Sequence, residues 1–163
     1  MNFKAIILAA GKGTRMKSKY PKVVHKVCGK EMVNHVISVS KKSGVNDIVA
    51  ILGHESDVVK EKLPKDTMIA MQTDQLGTGH AVMMAKEYIN DNDTIVVLCG
   101  DTPLVKEETL KRLFDYHIEH GYHATVLTTT VDNPTGYGRI IRDENKDLLK
   151  IVEQKDANEE EKK

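Results

Sequence analysis

The feature that most constrains the fold is an apolar run that leads directly into a glycine-rich turn near the N-terminus. Residues 5–13 read Ala-Ile-Ile-Leu-Ala-Ala-Gly-Lys-Gly, and Arg15 and Lys22 follow shortly afterwards. A strand that ends in such a turn leaves neighbouring backbone N–H groups unpaired, and a concavity of N–H groups binds anions. The two basic side chains add positive charge beside it. The sequence therefore predicts an anion site, with a polyphosphate as the simplest ligand.

Two better-known phosphate-binding loops are excluded at this position. The spacing Gly-x4-Gly-Lys-Ser/Thr is absent, because Gly11 and Gly13 are only two residues apart and no glycine lies upstream. The dinucleotide-binding fingerprint requires a third glycine where this chain has Met16.

Apolar runs alternate with amphipathic stretches along most of the chain. The pattern predicts strands over residues 4–9, 47–52, 67–72, 94–99 and 124–131, and helices over residues 32–43, 56–62, 78–88 and 106–120. Thr78 is a candidate N-cap, and Gly121 is expected to end the last helix. Strands that alternate with helices indicate an α/β fold, with a mostly parallel, Rossmann-like sheet covered by helices on both faces. Residues 139–142 and 148–152 predict a short β-hairpin that follows.

Length, charge and cysteine content limit the class of protein. The 163 residues fit one domain, or a large part of one, and no apolar run approaches the length of a membrane span, so no membrane partner is expected. Two cysteines suggest no disulfide framework, so a cytoplasmic location is expected. The first 30 residues contain eight of the 24 Lys and Arg residues and no Asp or Glu. This basic block surrounds the glycine turn, and the rest of the chain is acidic overall, which favours a small anion over nucleic acid.

Three loops that follow predicted strands contain the unusual chemistry. They are Gly11-Lys-Gly13, residues 75–80 (Gln-Leu-Gly-Thr-Gly-His) and residues 100–104 (Gly-Asp-Thr-Pro-Leu). Because ligands bind at the carboxyl ends of strands in open α/β sheets, we expect these loops to lie at one edge. Asp101 is then either a Mg2+ ligand or a turn aspartate. Gln72 and the glycines at 77 and 79 either recognise a base or form a plain turn into the next helix.

The remaining polar residues give weaker signals. Gly138 permits a close approach of the backbone, and Glu153 offers a carboxylate to sugar hydroxyl groups. The three histidines at 117, 120 and 123 straddle a predicted helix end, so we expect surface histidines and not a metal site. No Ser/His/Asp or Cys/His pattern indicates a nucleophile. The charged tail, residues 156–163, is expected to be frayed.

The motifs together resemble those of sugar-1-phosphate nucleotidyltransferases. The hallmark of that group is L-A-A-G-x-G-T-R-M followed by P-K, which residues 8–16 and 21–22 match. The resemblance is closer to one family, the bacterial bifunctional N-acetylglucosamine-1-phosphate uridyltransferases/glucosamine-1-phosphate acetyltransferases. It extends through residues 21–25, 29–30, 72, 75–81, 100–104, 134–140 and 153–157 in the same order.

The resemblance implies a role for each matched position. The nucleotide would be lined by backbone groups of Leu8, Ala9, Ala10 and Gly11. The triphosphate would be held by Arg15 and Lys22, which would also act in catalysis, and uracil and the ribose would be recognised by Gln72, Gly77 and Thr78. Asp101 would bind Mg2+, and the N-acetylglucosamine moiety would contact Gly138 and Glu153. The implied reaction is UTP plus N-acetylglucosamine 1-phosphate giving UDP-N-acetylglucosamine and pyrophosphate, a step in the synthesis of cell-wall precursors.

The family also continues well beyond the end of this chain. The resemblance implies that residues 1–155 form the N-terminal part of the pyrophosphorylase domain. A second metal-binding asparagine, a further sugar-binding asparagine and the trimeric acetyltransferase β-helix would lie downstream. We therefore expect a truncated chain with weak or no turnover, as a monomer or weak dimer. Two alternatives stay open: transfer to another sugar or alditol phosphate, and nucleotide binding without catalysis.

Overall fold

The structure is a computed structural model that describes residues 2–11, 13, 16–53 and 56–162. The chain forms two compact units, Met1–His123 and Ala124–Lys163. In chain order the first unit contains β1 (Asn2–Leu8), β2 (Lys26–Val27), β3 (Lys30–Glu31), α1 (Met32–Lys42), β4 (Asp47–Leu52), α2 (Ser56–Lys60), β5 (Met68–Met71), α3 (Thr78–Met83), β6 (Asp93–Cys99) and α4 (Glu107–His120). Short 3-10 helices cover Lys22–Val24 and Lys86–Tyr88.

The first unit is built on a four-stranded sheet with the order β5-β4-β1-β6, in which every pairing is parallel. Strand β1 is central, with Leu8 beside Ile51 of β4 and Cys99 of β6. This arrangement confirms the predicted parallel α/β sheet. The two-residue strands β2 and β3 form a small antiparallel hairpin that the periodicity does not predict.

Apolar side chains cover both faces of the sheet because successive residues of a strand point to opposite sides. On one face, Ala5 and Ile7 belong to a core with residues of α1 and α4. On the other face, Ile6 joins Ala81 of α3 in a second core. Phe3 stacks on Phe114 of α4, with ring centroids 4.5 Å apart.

The helix predictions hold at most boundaries but not at Thr78. Helix α4 ends at Gly121, which adopts the left-handed conformation (φ 61°), as predicted. Thr78 is wrong as the N-cap of α3, because the capping position is Gly77 and no side chain caps it. Helix α3 also stops at Met83, and Lys86–Tyr88 continues as a 3-10 helix instead of the helix predicted to residue 88.

A buried ion pair lies at the edge of the sheet opposite the glycine turn. The Nζ of Lys4 on β1 lies 2.9 Å from Oδ2 of Asp93 on β6, and both side chains are less than a tenth exposed. The same ammonium group donates to the Tyr88 carbonyl. The Tyr88 hydroxyl donates to the Ile69 carbonyl of β5. These bonds join the beginnings of three strands.

The second unit contains one antiparallel hairpin, β7 (Arg139–Arg142) and β8 (Leu148–Val152), as predicted. The strand predicted over residues 124–131 is wrong, since this segment has no regular secondary structure and Val126, Leu127 and Val131 are exposed. The expectation of a frayed tail is also wrong for residues 156–162. Lys150 of β8 pairs with Glu161 at 2.6 Å, and Asn158 accepts from the Glu160 and Glu161 amides.

No helix in the described part of the chain is long and apolar enough to cross a membrane.

Candidate functional site

A cleft of about 520 Å³ opens at the carboxyl ends of β1, β5 and β6. Eight of the residues singled out from the sequence line it: Leu8, Ala10, Gly11, Lys22, Gln72, Gly77, Thr78 and Asp101. The chain brings them together because the parallel strands all end at this edge. The roles of these residues stay predictions; their proximity is a finding.

Four predicted site residues are placed elsewhere or are not described. Arg15 lies outside the described residues. Ala9 is buried, and its N–H donates to the Ile51 carbonyl at 2.9 Å. Gly138 and Glu153 belong to the second unit. A Cβ placed on Gly138 would lie 3.9 Å from Glu153 Oε1, so these two residues are neighbours there.

Two glycines explain how the loop after β1 fits into the edge of the sheet. Gly13 has a left-handed backbone (φ 61°), and a Cβ there would lie 2.6 Å from the Cβ of Lys22. Gly53, at the end of β4, would place a Cβ 2.8 Å from the Ala10 carbonyl oxygen. Both distances are too short for a side chain. The close packing brings the loop against Lys22 and holds Ala10 beside β4.

Lys22 and Asp101 form an ion pair across the cleft. Lys22 Nζ lies 2.8 Å from Asp101 Oδ2, and both side chains are about a third exposed. Lys22 begins a 3-10 helix and Asp101 follows β6, so two separate elements fix the pair. An ammonium and a carboxylate at this edge can respectively bind a phosphate and a cation.

Gln72 follows β5 and is the buried polar side chain of the cleft. Its backbone N–H donates to the Leu52 carbonyl at 2.7 Å, which fixes the end of β5 against β4. Its side-chain Nε2 donates to the Gly77 carbonyl at 3.1 Å and lies 3.1 Å from His80 Nδ1. The amide is therefore bonded to the loop and helix that follow it.

Sequence reasoning missed several residues of the cleft wall. Gln75 is the most informative, because its Nε2 donates to the Ala10 carbonyl at 3.0 Å and joins the loop after β5 to the loop after β1. Met16, Val23, Ala81 and Cys99 contribute apolar or sulfur surface. The only sequence signal for Gln75 was its place in the Gln-Leu-Gly-Thr-Gly-His motif.

Cys99 ends β6 beside the ion pair. Burial raises the pKa of the Cys99 thiol, and the negative charge of Asp101 raises it further, while Lys22 lowers it. The thiol is thus less ionised at neutral pH than a free cysteine, which does not favour a nucleophilic role.

The described residues contain no group of three or more His, Cys, Asp or Glu side chains arranged to hold a metal ion. His120, one of the three closely spaced histidines, bonds to the Tyr116 carbonyl and stacks against Tyr122.

Asp101 offers one carboxylate to a cation. That fits Mg2+, which is commonly held by one or two carboxylates together with substrate phosphates.

In the second unit, Arg139 fixes the turn that precedes β7. Its guanidinium donates to the Pro134 carbonyl at 2.8 Å and to Gln154 Oε1 at 2.9 Å. Gln154 Oε1 also accepts from the Gly136 amide at 3.2 Å. These bonds join the two segments that contain Gly138 and Glu153.

Comparison with known proteins identifies the family. The sequence model of the nucleotidyl transferase family matches residues 4–161. The chain belongs to this family. It is 85% identical over 162 residues to Bifunctional protein GlmU of Clostridioides difficile (strain 630), covering 99% of this chain and 35% of that protein. The resemblance derived from the motifs is thereby confirmed, and the chain spans about a third of the length of such curated relatives.

Solved structures of other proteins share the fold. A protein from Bacillus anthracis assigned as a glucose-1-phosphate thymidylyltransferase, in complex with sucrose, superposes with a TM-score of 0.77 at 24% identity. The alignment covers 93% of this chain and 64% of that protein. Rv0371c from Mycobacterium tuberculosis H37Rv, in complex with manganese, gives a TM-score of 0.59 at 23% identity, with 71% and 59% covered.

Proposed function

We propose that this chain carries the uridine-nucleotide site of an enzyme that transfers uridylyl from UTP to N-acetylglucosamine 1-phosphate. One observation carries the proposal: the cleft brings Gln72, the glycine turn and the Lys22–Asp101 pair to one sheet edge. The identity to Bifunctional protein GlmU supports the choice of this reaction within the family. The proposal also places the protein in the cytoplasm.

The base is recognised at the Gln72 side of the cleft. The amide of Gln72 is buried and held by Gly77 and His80, so it offers a fixed polar group to a planar ring. Thr78 and Gly77 line the same wall and leave room for the ribose. Leu8, Ala10 and Gly11 also line the cleft, and their backbone groups are the proposed contacts of the rest of the nucleotide.

The triphosphate lies between the glycine turn and Lys22. Among the described residues no hydrogen bond is formed with the N–H groups of Gly11 or Gly13, and the phosphate oxygens are proposed to accept from them. Lys22, and Arg15 beside the same turn, neutralise the charge that develops on the leaving pyrophosphate. A bound phosphate competes with Asp101 for the Lys22 ammonium group.

Asp101 is the proposed ligand of a divalent cation, with Mg2+ as the expected ion. The manganese complex of the related fold supports a divalent ion in general. Asp101 would hold such an ion, which would supply positive charge that stabilises negative charge in the reaction. The Asp101 carboxylate is bonded to Lys22 in the structure, so a phosphate that binds the Lys22 ammonium group would leave the carboxylate available.

The reaction requires no protein nucleophile. An oxygen of the sugar phosphate forms a bond to the α-phosphorus of UTP while the bond from that phosphorus to the pyrophosphate oxygen breaks. The protein contributes by aligning the two anions and by holding positive charge at the leaving group. Gly138 and Glu153 are the proposed contacts of the acetylated sugar.

A second candidate is nucleotide binding without turnover. Asp101 is the one carboxylate that lines the described wall of the cleft, so the described residues offer a cation there a single carboxylate ligand. Transfer to glucose 1-phosphate is less favoured, since the thymidylyltransferase of the shared fold is only 24% identical.

Calorimetric titration of the 163-residue chain with UTP, with and without Mg2+, tests the binding site. Adding N-acetylglucosamine 1-phosphate and measuring pyrophosphate release then separates transfer from binding alone. UTP binding that Mg2+ strengthens supports the proposal, whereas no UTP binding contradicts it. Faster pyrophosphate release with glucose 1-phosphate than with the acetylated sugar would contradict the proposed substrate.

A further inference from the structure

His80 contacts Gln72 from behind the cleft wall. It lies on α3, and its Nδ1 is 3.1 Å from Gln72 Nε2. The described wall of the cleft includes Gln72 but not His80. His80 can therefore influence a ligand in the cleft through the amide that it contacts.

The neighbouring carbonyl decides which way the Gln72 amide is turned. The Gly77 carbonyl oxygen lies 3.1 Å from one end of the amide, and a carbonyl oxygen only accepts hydrogen bonds. That end must therefore be the Nε2 group. His80 Nδ1 faces the same nitrogen, so it accepts as well, and the imidazole proton is on Nε2 of His80.

The two acceptors together use both protons of the amide nitrogen. Nε2 of Gln72 carries two N–H bonds, one for Gly77 and one for His80. The described residues offer no donor to Oε1. A ligand in the cleft consequently meets an amide that accepts hydrogen bonds but has no N–H left to donate.

We propose that His80 is a positioning residue that makes Gln72 select a pyrimidine whose N3 carries a proton. Uracil has an N3–H donor that the Gln72 oxygen accepts, whereas cytosine has a bare N3 acceptor at the same place. Without His80, one N–H of Gln72 is released. The amide then presents a donor and an acceptor together, which matches the N3 and the N4 amino group of cytosine as well as the N3–H and O4 of uracil. Cytosine gains more, because its N3 had no donor before, so the preference for uracil falls. The inference rests on the proposed role of Gln72 in base recognition.

The test measures the dissociation constants of UTP and CTP for the 163-residue chain and three variants by calorimetry. His80→Ala removes the acceptor. His80→Asn retains one, because the Asn Oδ1 occupies about the position of Nδ1. Met83→Ala is the matched control, since Met83 lies on the same helix but is two-thirds exposed and does not line the described cleft.

We expect His80→Ala to lower the ratio of the CTP to the UTP dissociation constant at least tenfold, mainly through tighter CTP binding. His80→Asn and Met83→Ala should keep the ratio within threefold of the unsubstituted chain. If His80 had only a structural role, its loss would weaken the binding of UTP and CTP equally and leave the ratio of their dissociation constants unchanged. That result for His80→Ala would overturn the inference. A loss of selectivity in His80→Asn equal to that in His80→Ala would overturn it as well. If the unsubstituted chain itself shows no preference for UTP, the proposed role of Gln72 fails before any variant is compared.

Discussion

Replacing Asp101 by Asn removes the negative charge of the Lys22–Asp101 ion pair in the cleft. The pair is partly exposed, with side chains 36% and 35% accessible, so we expect it to contribute at most about 1 kcal/mol to folding. The substitution should therefore leave the unfolding free energy nearly unchanged. Its main effect should be on ligands that use Lys22 or the carboxylate.

In the absence of metal, Asp101→Asn should tighten UTP binding. A carboxylate about 6 Å from a phosphate charge repels it by about 0.7 kcal/mol in a water-like dielectric. Release of Lys22 from its 2.8 Å bond adds up to about 1 kcal/mol. Together these terms predict UTP binding about 3- to 20-fold tighter, since about 1.4 kcal/mol corresponds to a tenfold change.

The same variant should lose most of the improvement in UTP binding that Mg2+ causes. Calorimetric titration of UTP with and without Mg2+ measures both effects. Asp91→Asn is the matched control, because it removes the same charge from an exposed position before β6, at the opposite edge of the sheet. Weaker metal-free binding of UTP to Asp101→Asn than to the control would refute this reasoning.

Two substitutions and one alkylation experiment test the fold and the site. Lys4→Ala leaves Asp93 buried without the ammonium group, so the unfolding free energy in urea should fall by about 3 kcal/mol or more. Gly53→Ala places a methyl group against the Ala10 carbonyl, so the loop must shift and UTP affinity should fall at least about tenfold. The raised pKa of Cys99 leaves little thiolate at neutral pH, so alkylation should be slower than that of free cysteine, with its midpoint at higher pH.

The alkylation test has a matched control. For the thiol, Cys28→Ser leaves Cys99 as the reactive sulfur, and adding Asp101→Asn should speed alkylation by removing a charge that raises the pKa. The first prediction would be contradicted if Lys4→Ala lowered the unfolding free energy by less than about 1 kcal/mol. The second would be contradicted by normal UTP binding in Gly53→Ala, and the third by fast alkylation of Cys99 at neutral pH.

Local patterns predicted the central sheet and the location of the cleft. The apolar run of β1 and the helical spacing of Val33, Val36 and Ile37 require burial, and the structure buries them completely or nearly so. The cleft followed from a topological rule, because loops after parallel strands must meet at one edge. No knowledge of side-chain contacts was needed for that step.

The sequence pattern gave a wrong prediction where the structure depends on a neighbouring strand. Residues 124–131 are rich in Val and Thr, which favours a strand, yet a strand also requires a neighbour to accept its backbone hydrogen bonds. The segment pairs with neither β7 nor β8. Strand propensity alone therefore gave the wrong answer there.

Contacts between side chains also lay beyond the sequence patterns. The motif placed Gln72 near a glycine loop, but it did not show that His80 takes one proton of the amide. Nor did it show that Lys22 is bonded to Asp101, 79 positions away. Such contacts depend on the folded distances, which sequence spacing does not define.

A nuclear magnetic resonance titration of the 163-residue chain with UTP tests the central claim most directly. We predict that the backbone amide signals of Gly11, Gln72 and Gly77 shift together, while those of Lys4 and Tyr88 at the opposite edge stay in place. Shifts that cluster around Lys4 and Tyr88, or no shifts at millimolar UTP, would contradict the claim that the cleft is a uridine-nucleotide site.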